Sequence, residues 1–323
     1  MKRLLSAAAF LLFASVATTS AQTLSESFEG TTIPPEGWTT KSSCTKYAWT
    51  ATKYSTISIY FIKGYNNGGQ QAMASTTGKT KESSSLYSPD SWLITPQVTI
   101  GDGDYLNFMI SWNASFNNAP AVTESGRTHF EVLVSTTDTA SASFTDTLYQ
   151  VVPKDLAHWH AMSLDLSKYA GKQVYIAFRD HGNTPGSPSM TNMVFIDDVK
   201  INKTSTADLV VEKLESPVSG FYNSQNVTMT VKNYGAEVSA FTIGYKIDDN
   251  AEVTEAVNQK IEANGSATLS FSAPATMSRD KHTILTWATA DNDVLHDNDT
   301  LTSSVSIDKT MPFPYEIDRK SVV

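Results

Sequence analysis

The stretch Tyr105-Leu106-Asn107-Phe108-Met109-Ile110-Ser111-Trp112 decides the fold class of this chain. Apolar side chains recur in it at every second position, which is the period of a β-strand with one face buried. The same alternation occurs in residues 130–134, 174–179 and 227–231. No window carries an apolar stripe of helical period over an ordinary helix length, and turn-forming residues separate the predicted strands. The sequence therefore predicts an all-β protein.

A short polar segment, residues 202–206, separates two groups of predicted strands. The part before it is about 180 residues long and has wide gaps between strands, which favours a jelly roll with elaborated loops. The part after it has about seven short strands with regular turns, as in an Ig-like sandwich. We predict a jelly-roll β-sandwich over residues 22–203 and an Ig-like β-sandwich over residues 207–307. Residues 308–323 are predicted to be a linker or the truncated start of a further module.

The N-terminus has the pattern of a secretory signal peptide. Lys2 and Arg3 precede an apolar stretch over residues 4–16, and small residues lead up to Ala21. The apolar stretch is too short for a membrane span, and no later stretch approaches the roughly 20 apolar residues that a spanning helix needs. We predict cleavage after Ala21 and a mature protein that is secreted, held on the outer cell surface or retained in the periplasm.

Charge and cysteine content exclude several classes of protein. The chain of 323 residues has 24 Lys and Arg against 33 Asp and Glu, so its formal charge is -9. Removal of Lys2 and Arg3 with the signal peptide makes the charge -11, and such a chain has no basic surface to neutralise a phosphate backbone. Nucleic acid is therefore not expected as a partner. The single cysteine, Cys44, permits no disulfide within the chain.

A series of short motifs in the first predicted domain resembles a known family. In chain order the motifs are Ser27-Phe28-Glu29-Gly30, Ile33-Pro34-Pro35-Glu36-Gly37-Trp38, Ser91-Trp92-Leu93-Ile94-Thr95-Pro96, Phe130-Glu131-Val132-Leu133-Val134, Leu164-Asp165-Leu166-Ser167, Val174-Tyr175-Ile176-Ala177-Phe178-Arg179 and Phe195-Ile196-Asp197-Asp198-Val199. Their kind, order and spacing resemble the cleaved-adhesin or choice-of-anchor J jelly-roll modules of gingipain haemagglutinin regions, over roughly residues 24–201. The second domain is similar to CARDB-like, Ig-fold spacers. The resemblance implies a bacterial adhesin-type protein without catalysis of its own, with further modules beyond residue 323.

The resemblance also implies a structural calcium ion. Jelly-roll modules of this kind commonly tie the first strand to the last through Ca²⁺ held by carboxylates and backbone carbonyls. The candidate ligands here are Glu29, with Glu26 nearby, and Asp197 or Asp198. Two adjacent Asp residues in an otherwise apolar strand are costly to bury unless a cation or hydrogen bonds compensate them. The alternative is an exposed pair, or carboxylates satisfied by backbone N–H groups.

Ligand binding is expected in the loops of the first domain. Residues 54–71 combine aromatic side chains with amides and few charges, and such groups stack on and hydrogen-bond to sugars or peptides. The predicted ligand-binding residues are Tyr60, Phe61, Tyr65 and Asn67. The alternative is that these aromatic residues pack inside a strand. The expected partner is a glycan or a host matrix or surface protein, or further domains of the same or a neighbouring chain.

Other polar patterns have ordinary explanations. His158 and His160 flank Trp159 and would share one face of a strand, but two ligands do not make a zinc site, and surface or interstrand histidines are the default. Asp291-Asn292-Asp293 and Asp297-Asn298-Asp299 are rich in oxygen but typical of a hairpin loop.

The sequence shows no nucleophile elbow, no zinc-protease helix and no phosphate-binding loop. A glycosidase would need only two dispersed carboxylates. The alternatives to an adhesin are therefore an accessory or hydrolytic module of a larger secreted carbohydrate-active enzyme or protease, and a structural spacer.

Overall fold

The computed structural model describes residues 24–43, 48–53, 71–77, 90–113, 128–151, 158–182 and 192–308. Nearly all of its regular structure is β-strand, arranged as two β-sandwiches in series. The predicted fold class, all-β with a jelly-roll sandwich followed by an Ig-like sandwich, is confirmed.

The first sandwich has two six-stranded sheets, and its described connections include short 3₁₀ turns at Ser141–Ser143 and Ser167–Tyr169. Its strands are β1 Ser25–Glu26, β2 Thr39–Ser42, β3 Thr50–Lys53, β4 Gln71–Thr77, β5 Asp90–Ile94, β6 Val98–Thr99, β7 Tyr105–Asn113, β8 Thr128–Ser135, β9 Asp146–Val151, β10 Trp159–Asp165, β11 Gln173–Gly182 and β12 Asn192–Asn202. Sheet A has the order β10-β7-β12-β4-β3, with β1 also paired to β12. Sheet B has the order β2-β5-β11-β8-β9, with β6 also paired to β11. All the pairings are antiparallel, and β10 is an edge strand of sheet A.

The core between the two sheets follows from the alternation seen in the sequence. On β7, Leu106, Phe108, Ile110 and Trp112 all point into it and are buried. Phe108 meets Phe178 of sheet B edge to face, with ring centroids 5.1 Å apart. Such an arrangement of two aromatic rings is favourable because the positive edge of one meets the negative face of the other.

A β-bulge interrupts strand β12 between Asp197 and Lys200. Ile196 and Val199 both belong to the core, although strict alternation would send them to opposite faces. The extra residue is accommodated by Asp198, whose φ of 48° is left-handed, a conformation that Asp tolerates better than most residues. Asp197 is consequently fully buried, whereas the side chain of Asp198 keeps 14% of its exposure.

The second sandwich has seven strands in a three-stranded and a four-stranded sheet. They are β13 Leu209–Ser216, β14 Ser224–Asn233, β15 Phe241–Ile247, β16 Val253–Val257, β17 Ser266–Thr276, β18 Lys281–Thr289 and β19 Thr300–Ser306. The sheet orders are β13-β14-β17 and β16-β15-β18-β19. Tyr245 and Phe271 meet edge to face at 4.6 Å in the core between the two sheets.

The outer face of sheet A is apolar as well. Its buried side chains form a separate cluster of Ala72, Ala74, Met109, Trp159, Ala161, Met193 and Phe195, and this cluster includes Leu295 from the second sandwich. Leu295 lies in residues 290–299, which connect β18 to β19 and which we call the docking loop. Sheet A is thus buried on both faces where the second sandwich meets it.

Candidate functional site

The predicted ligand-binding residues Tyr60, Phe61, Tyr65 and Asn67 lie outside the described residues, as does the predicted signal peptide. Their roles therefore stay predictions from the sequence.

Two of the predicted calcium ligands, Glu26 and Glu29, lie in or just after the first strand. Glu26 is opposite Val199 in the β1–β12 pairing, so the first strand does adjoin the last strand of the sandwich. The Oε1 atom of Glu26 accepts a hydrogen bond from the backbone N–H of Phe28 at 2.6 Å. The Oε1 atom of Glu29 accepts one from the N–H of Gln71 at 3.1 Å.

The other two predicted calcium ligands, Asp197 and Asp198, lie in the bulge. The Oδ1 atom of Asp197 accepts a hydrogen bond from the N–H of Asp198 at 2.7 Å, and the Oδ1 atom of Asp198 is 3.4 Å from the Nζ atom of Lys200. No three of the four predicted carboxylates lie within 4.8 Å of one another. A Ca²⁺ ion here would therefore depend on backbone carbonyls for most of its ligands, and it stays a prediction.

The structure places a different set of polar residues together, where the two sandwiches meet. His160 of edge strand β10 is fully buried and stacks on the ring of Tyr234 in the second sandwich, with centroids 3.9 Å apart. The Nδ1 atom of His160 is 3.4 Å from the Oδ2 atom of Asp208. His160 is therefore a junction residue rather than the surface or interstrand histidine that the sequence indicates by default.

Asp208, which is also fully buried, accepts hydrogen bonds from groups of both sandwiches. Its Oδ2 atom accepts a hydrogen bond from the N–H of Ala161 at 2.8 Å. Its Oδ1 atom accepts one from the Nδ2 atom of Asn298 at 2.9 Å, and the same Nδ2 donates to the carbonyl oxygen of Trp159 at 3.1 Å. Backbone groups of an edge strand are otherwise left without ladder partners, so these side chains cover the edge of sheet A.

A cleft with a volume of about 330 Å³ lies beside this junction. It is bounded by the outer face of sheet A, the segment that joins the sandwiches, and the docking loop. Its lining residues are Asn107, Phe108, Met109, Ala161, Met162, Asp198, Lys200, Asn202, Thr204, Thr206 and Val294. Val294 is an exposed apolar side chain, at 54% of its free surface. The cleft therefore has a mainly apolar lining with several hydrogen-bonding side chains, among them one carboxylate and one lysine, and it is in the size range of small-ligand sites.

The docking loop carries a second polar group, formed by Asp293, His296 and Asp299. Burial raises the pKa of Asp293 to about 7, a shift that the backbone N–H of Leu209 partly offsets. Burial also raises the pKa of Asp299 to about 6, and the hydrogen bond to His296 opposes this shift. The same hydrogen bond raises the pKa of His296.

Comparison with known families identifies the chain. A model of the Cleaved Adhesin Domain family matches residues 21–201. The chain belongs to the cleaved adhesin family. A model of the CARDB family matches residues 206–300. The resemblance inferred from the sequence motifs is thereby confirmed, with the first sandwich as the cleaved adhesin domain and the second as the CARDB domain.

Relatives of this cleaved adhesin protein include Hemagglutinin A of Porphyromonas gingivalis, which is 28% identical over 249 residues. The match covers 68% of this chain but only 9% of that protein. The crystal structure of the K1 cleaved adhesin domain of Lys-gingipain from Porphyromonas gingivalis W83 is 24% identical, with a TM-score of 0.40, and the alignment covers 56% of this chain and 98% of that one. The K3 domain of the same gingipain is 20% identical, with a TM-score of 0.38, over 55% of this chain and 98% of that one.

No helix within the described residues has the length and hydrophobicity of a membrane span.

Sequence reasoning missed the junction of the cleaved adhesin and CARDB domains. It assigned the Asp297-Asn298-Asp299 stretch to an ordinary hairpin loop, yet Asn298 and Asp299 are buried, at 7% and 3% exposure. One signal was available, because Asp208 interrupts the apolar start of a strand, and a charge there needs a partner. The pattern does not say which residue supplies that partner.

Proposed function

We propose that this chain is an exported, non-catalytic binding module of a bacterial adhesin, and that its ligand is a glycan held in the cleft at the domain junction. The observation that carries the proposal is the cleft itself, which combines a mainly apolar lining with several polar side chains. The relatives of this chain include Hemagglutinin A of Porphyromonas gingivalis, and that name supports a binding role. Export rests on the signal-peptide pattern of residues 1–21.

The chemistry of the cleft suits a sugar. Asn202, Thr204 and Thr206 offer neutral donors and acceptors, and Asp198 and Lys200 offer charged ones. Sugar hydroxyl groups both donate and accept hydrogen bonds, so they can pair with donors and with acceptors, whether neutral or charged. The exposed apolar surface of Val294 is available to the C–H face of a sugar ring.

Both walls of the cleft are held in place before any ligand arrives. The amide of Asn107 donates hydrogen bonds to Oδ1 of Asn202 at 3.1 Å and to the carbonyl oxygen of Thr204 at 2.9 Å. The buried contacts of Asp208 hold the docking loop, which carries Val294, against sheet A. A preformed site loses less conformational entropy on binding, so modest contacts suffice for measurable affinity.

The test combines a glycan array with calorimetry on the mature chain, residues 22–323. We expect saturable binding of at least one glycan, and we expect Lys200→Ala to weaken it at least about tenfold, because a hydrogen bond to a charged group contributes about 1.5–3 kcal/mol. The control is Lys260→Ala, which removes a lysine of similar exposure from the CARDB domain, outside the cleft.

Equal affinity of the Lys200→Ala and Lys260→Ala variants would place the ligand elsewhere and refute the cleft assignment. Saturable binding to a host matrix protein, but to no glycan, would favour the protein-ligand alternative. Turnover of a glycan abolished by a single carboxylate substitution would favour the hydrolytic module. The absence of all three activities would leave a structural spacer.

Calcium is a separate proposal for the cleaved adhesin domain. We expect excess Ca²⁺ to raise the melting temperature of the mature chain relative to excess chelator, because saturation at about 100 times Kd adds about 2.7 kcal/mol. Glu29→Ala should abolish the increase, whereas Glu36→Ala, which removes an exposed carboxylate, should retain it. An unchanged melting temperature in the wild-type protein would remove the calcium hypothesis.

A further inference from the structure

The docking loop gathers three metal-ligating side chains that the cleft does not use. One ligand atom each from Asp293, His296 and Asp299 lies within 4.8 Å of the other two. It is the only such group of three among the residues with described positions. The three residues are spaced three apart in the chain, on a loop that is itself held against the cleaved adhesin domain.

Backbone N–H groups orient Asp293, and the other two ligands, His296 and Asp299, lie against each other. The Oδ2 and Oδ1 atoms of Asp293 accept hydrogen bonds from the N–H groups of Leu209 at 2.7 Å and Leu295 at 3.1 Å. The Nδ1 atom of His296 is 3.0 Å from the Oδ2 atom of Asp299. Hydrogen bonds that fix the orientation of ligand side chains are a regular feature of metal sites.

An unsatisfied buried oxygen is a second observation that favours cation binding at this cluster. The side chain of Asp299 is 4% exposed, and its Oδ1 atom is buried without a hydrogen-bond donor. The Oδ1 atom of the adjacent Asn298 is also buried without a donor, because its Nδ2 atom is the group that binds Asp208 and Trp159. Buried polar atoms in native proteins nearly always have a partner, so two in one loop call for an explanation.

The surrounding charge is negative. The carboxylates of Asp208 and Asp297 both repel that of Asp299. Within the described chain, His296 is the only basic residue that forms an ion pair with Asp293 or Asp299. A bound dication would neutralise the two buried carboxylates and supply the partner that Asp299 lacks.

We propose that Asp293, His296 and Asp299 bind one divalent transition-metal ion of the Zn²⁺ class, which holds the docking loop in its buried conformation. An imidazole nitrogen with two carboxylates suits zinc, whereas calcium prefers six to eight oxygen ligands. Three protein ligands leave the fourth tetrahedral position open, and His296, whose side chain is 67% exposed, places that position near solvent. The site is separate from the glycan cleft, and neither proposal depends on the other.

The test is a chelator-competition titration of Zn²⁺ into the metal-free mature chain, residues 22–323. We expect one tight site per chain. Loss of an outer partner of a metal ligand costs about 10–100-fold in affinity, so we expect loss of a ligand in His296→Ala or Asp299→Asn to cost at least about 100-fold. His296→Ala changes an exposed side chain and Asp299→Asn keeps the shape of the residue, so both variants should fold.

Two matched variants serve as controls. Asp291→Asn removes an exposed carboxylate from the same loop, and His129→Ala removes a histidine that stacks on His181 in sheet B. Both should bind Zn²⁺ as the wild-type protein does, and Zn²⁺ should raise the melting temperature of both. The proposal is overturned if the wild-type chain binds no Zn²⁺, if His296→Ala binds it unchanged, if His129→Ala loses it, or if the loop binds Ca²⁺ but not Zn²⁺.

Discussion

Asp208→Ala is expected to separate the unfolding of the two sandwiches. The substitution removes the acceptor of the Ala161 N–H and of the Asn298 amide, and it removes the carboxylate next to buried His160. Breaking a buried network of this kind typically costs about 3–5 kcal/mol, because the remaining partners stay buried without hydrogen bonds. We expect one calorimetric transition for the wild-type chain and two for the variant, since the lost energy is concentrated at the junction.

Asp249→Ala is the matched control, because Asp249 lies in an exposed turn of the CARDB domain, away from the junction. It should keep the wild-type melting profile. A profile of Asp208→Ala that coincides with that of Asp249→Ala would contradict the view that this junction couples the two domains. Asp208→Ala should also weaken glycan binding, since the docking loop forms one wall of the cleft.

Gly235→Ala is expected to have the second largest effect. A Cβ atom at this position would lie 2.3 Å from the carbonyl oxygen of Thr206 and 2.7 Å from the backbone of Ala207. Both contacts are with backbone, so the segment that joins the domains must shift, and with it the hydrogen bond from Ala236 N–H to Thr206 O at 2.7 Å. Overpacking of this kind costs about 1–3 kcal/mol.

The measurement is the urea concentration at which half of the protein is unfolded. If the dependence of the unfolding free energy on urea concentration is the same for both variants, a difference between their midpoints reports a difference in stability alone. Gly30→Ala is the control, because a Cβ atom there meets no atom within 4 Å. We expect the midpoint of Gly235→Ala to fall well below that of Gly30→Ala. Equal midpoints would mean that the joining segment moves aside at little cost and does not fix the junction.

The sequence predicted the strands and the core correctly, and strand β7 shows why. Its alternation identified Leu106, Phe108, Ile110 and Trp112 as one face, and that face is the core. The same pattern placed Met109 on the opposite face but could not say what covers it. Leu295 covers it, more than 180 residues later in the chain, and no local period carries that information.

The candidate site was predictable only in part. Glu26 was expected near the last strand, and the β1–β12 pairing places it there. The bulge at Asp198 was not expected, because a period-two pattern contains no signal for an extra residue. His160 and Asn298 each had an ordinary local explanation, and only their contacts with the other domain give them a role at the junction.

The amino-acid sequence by itself determined the all-β class, the two sandwiches and the family, because hydrophobic period, turn residues and motif order are local properties of the chain. The tertiary structure decided the edge covering of β10, the cleft and the cluster of Asp293, His296 and Asp299. Each of these brings together groups from elements distant in the chain or buries a loop that looked exposed. Burying a charge or an edge N–H is unfavourable unless a hydrogen-bonding partner lies within reach. Domain packing, rather than the neighbours in the sequence, decides which residue that partner is.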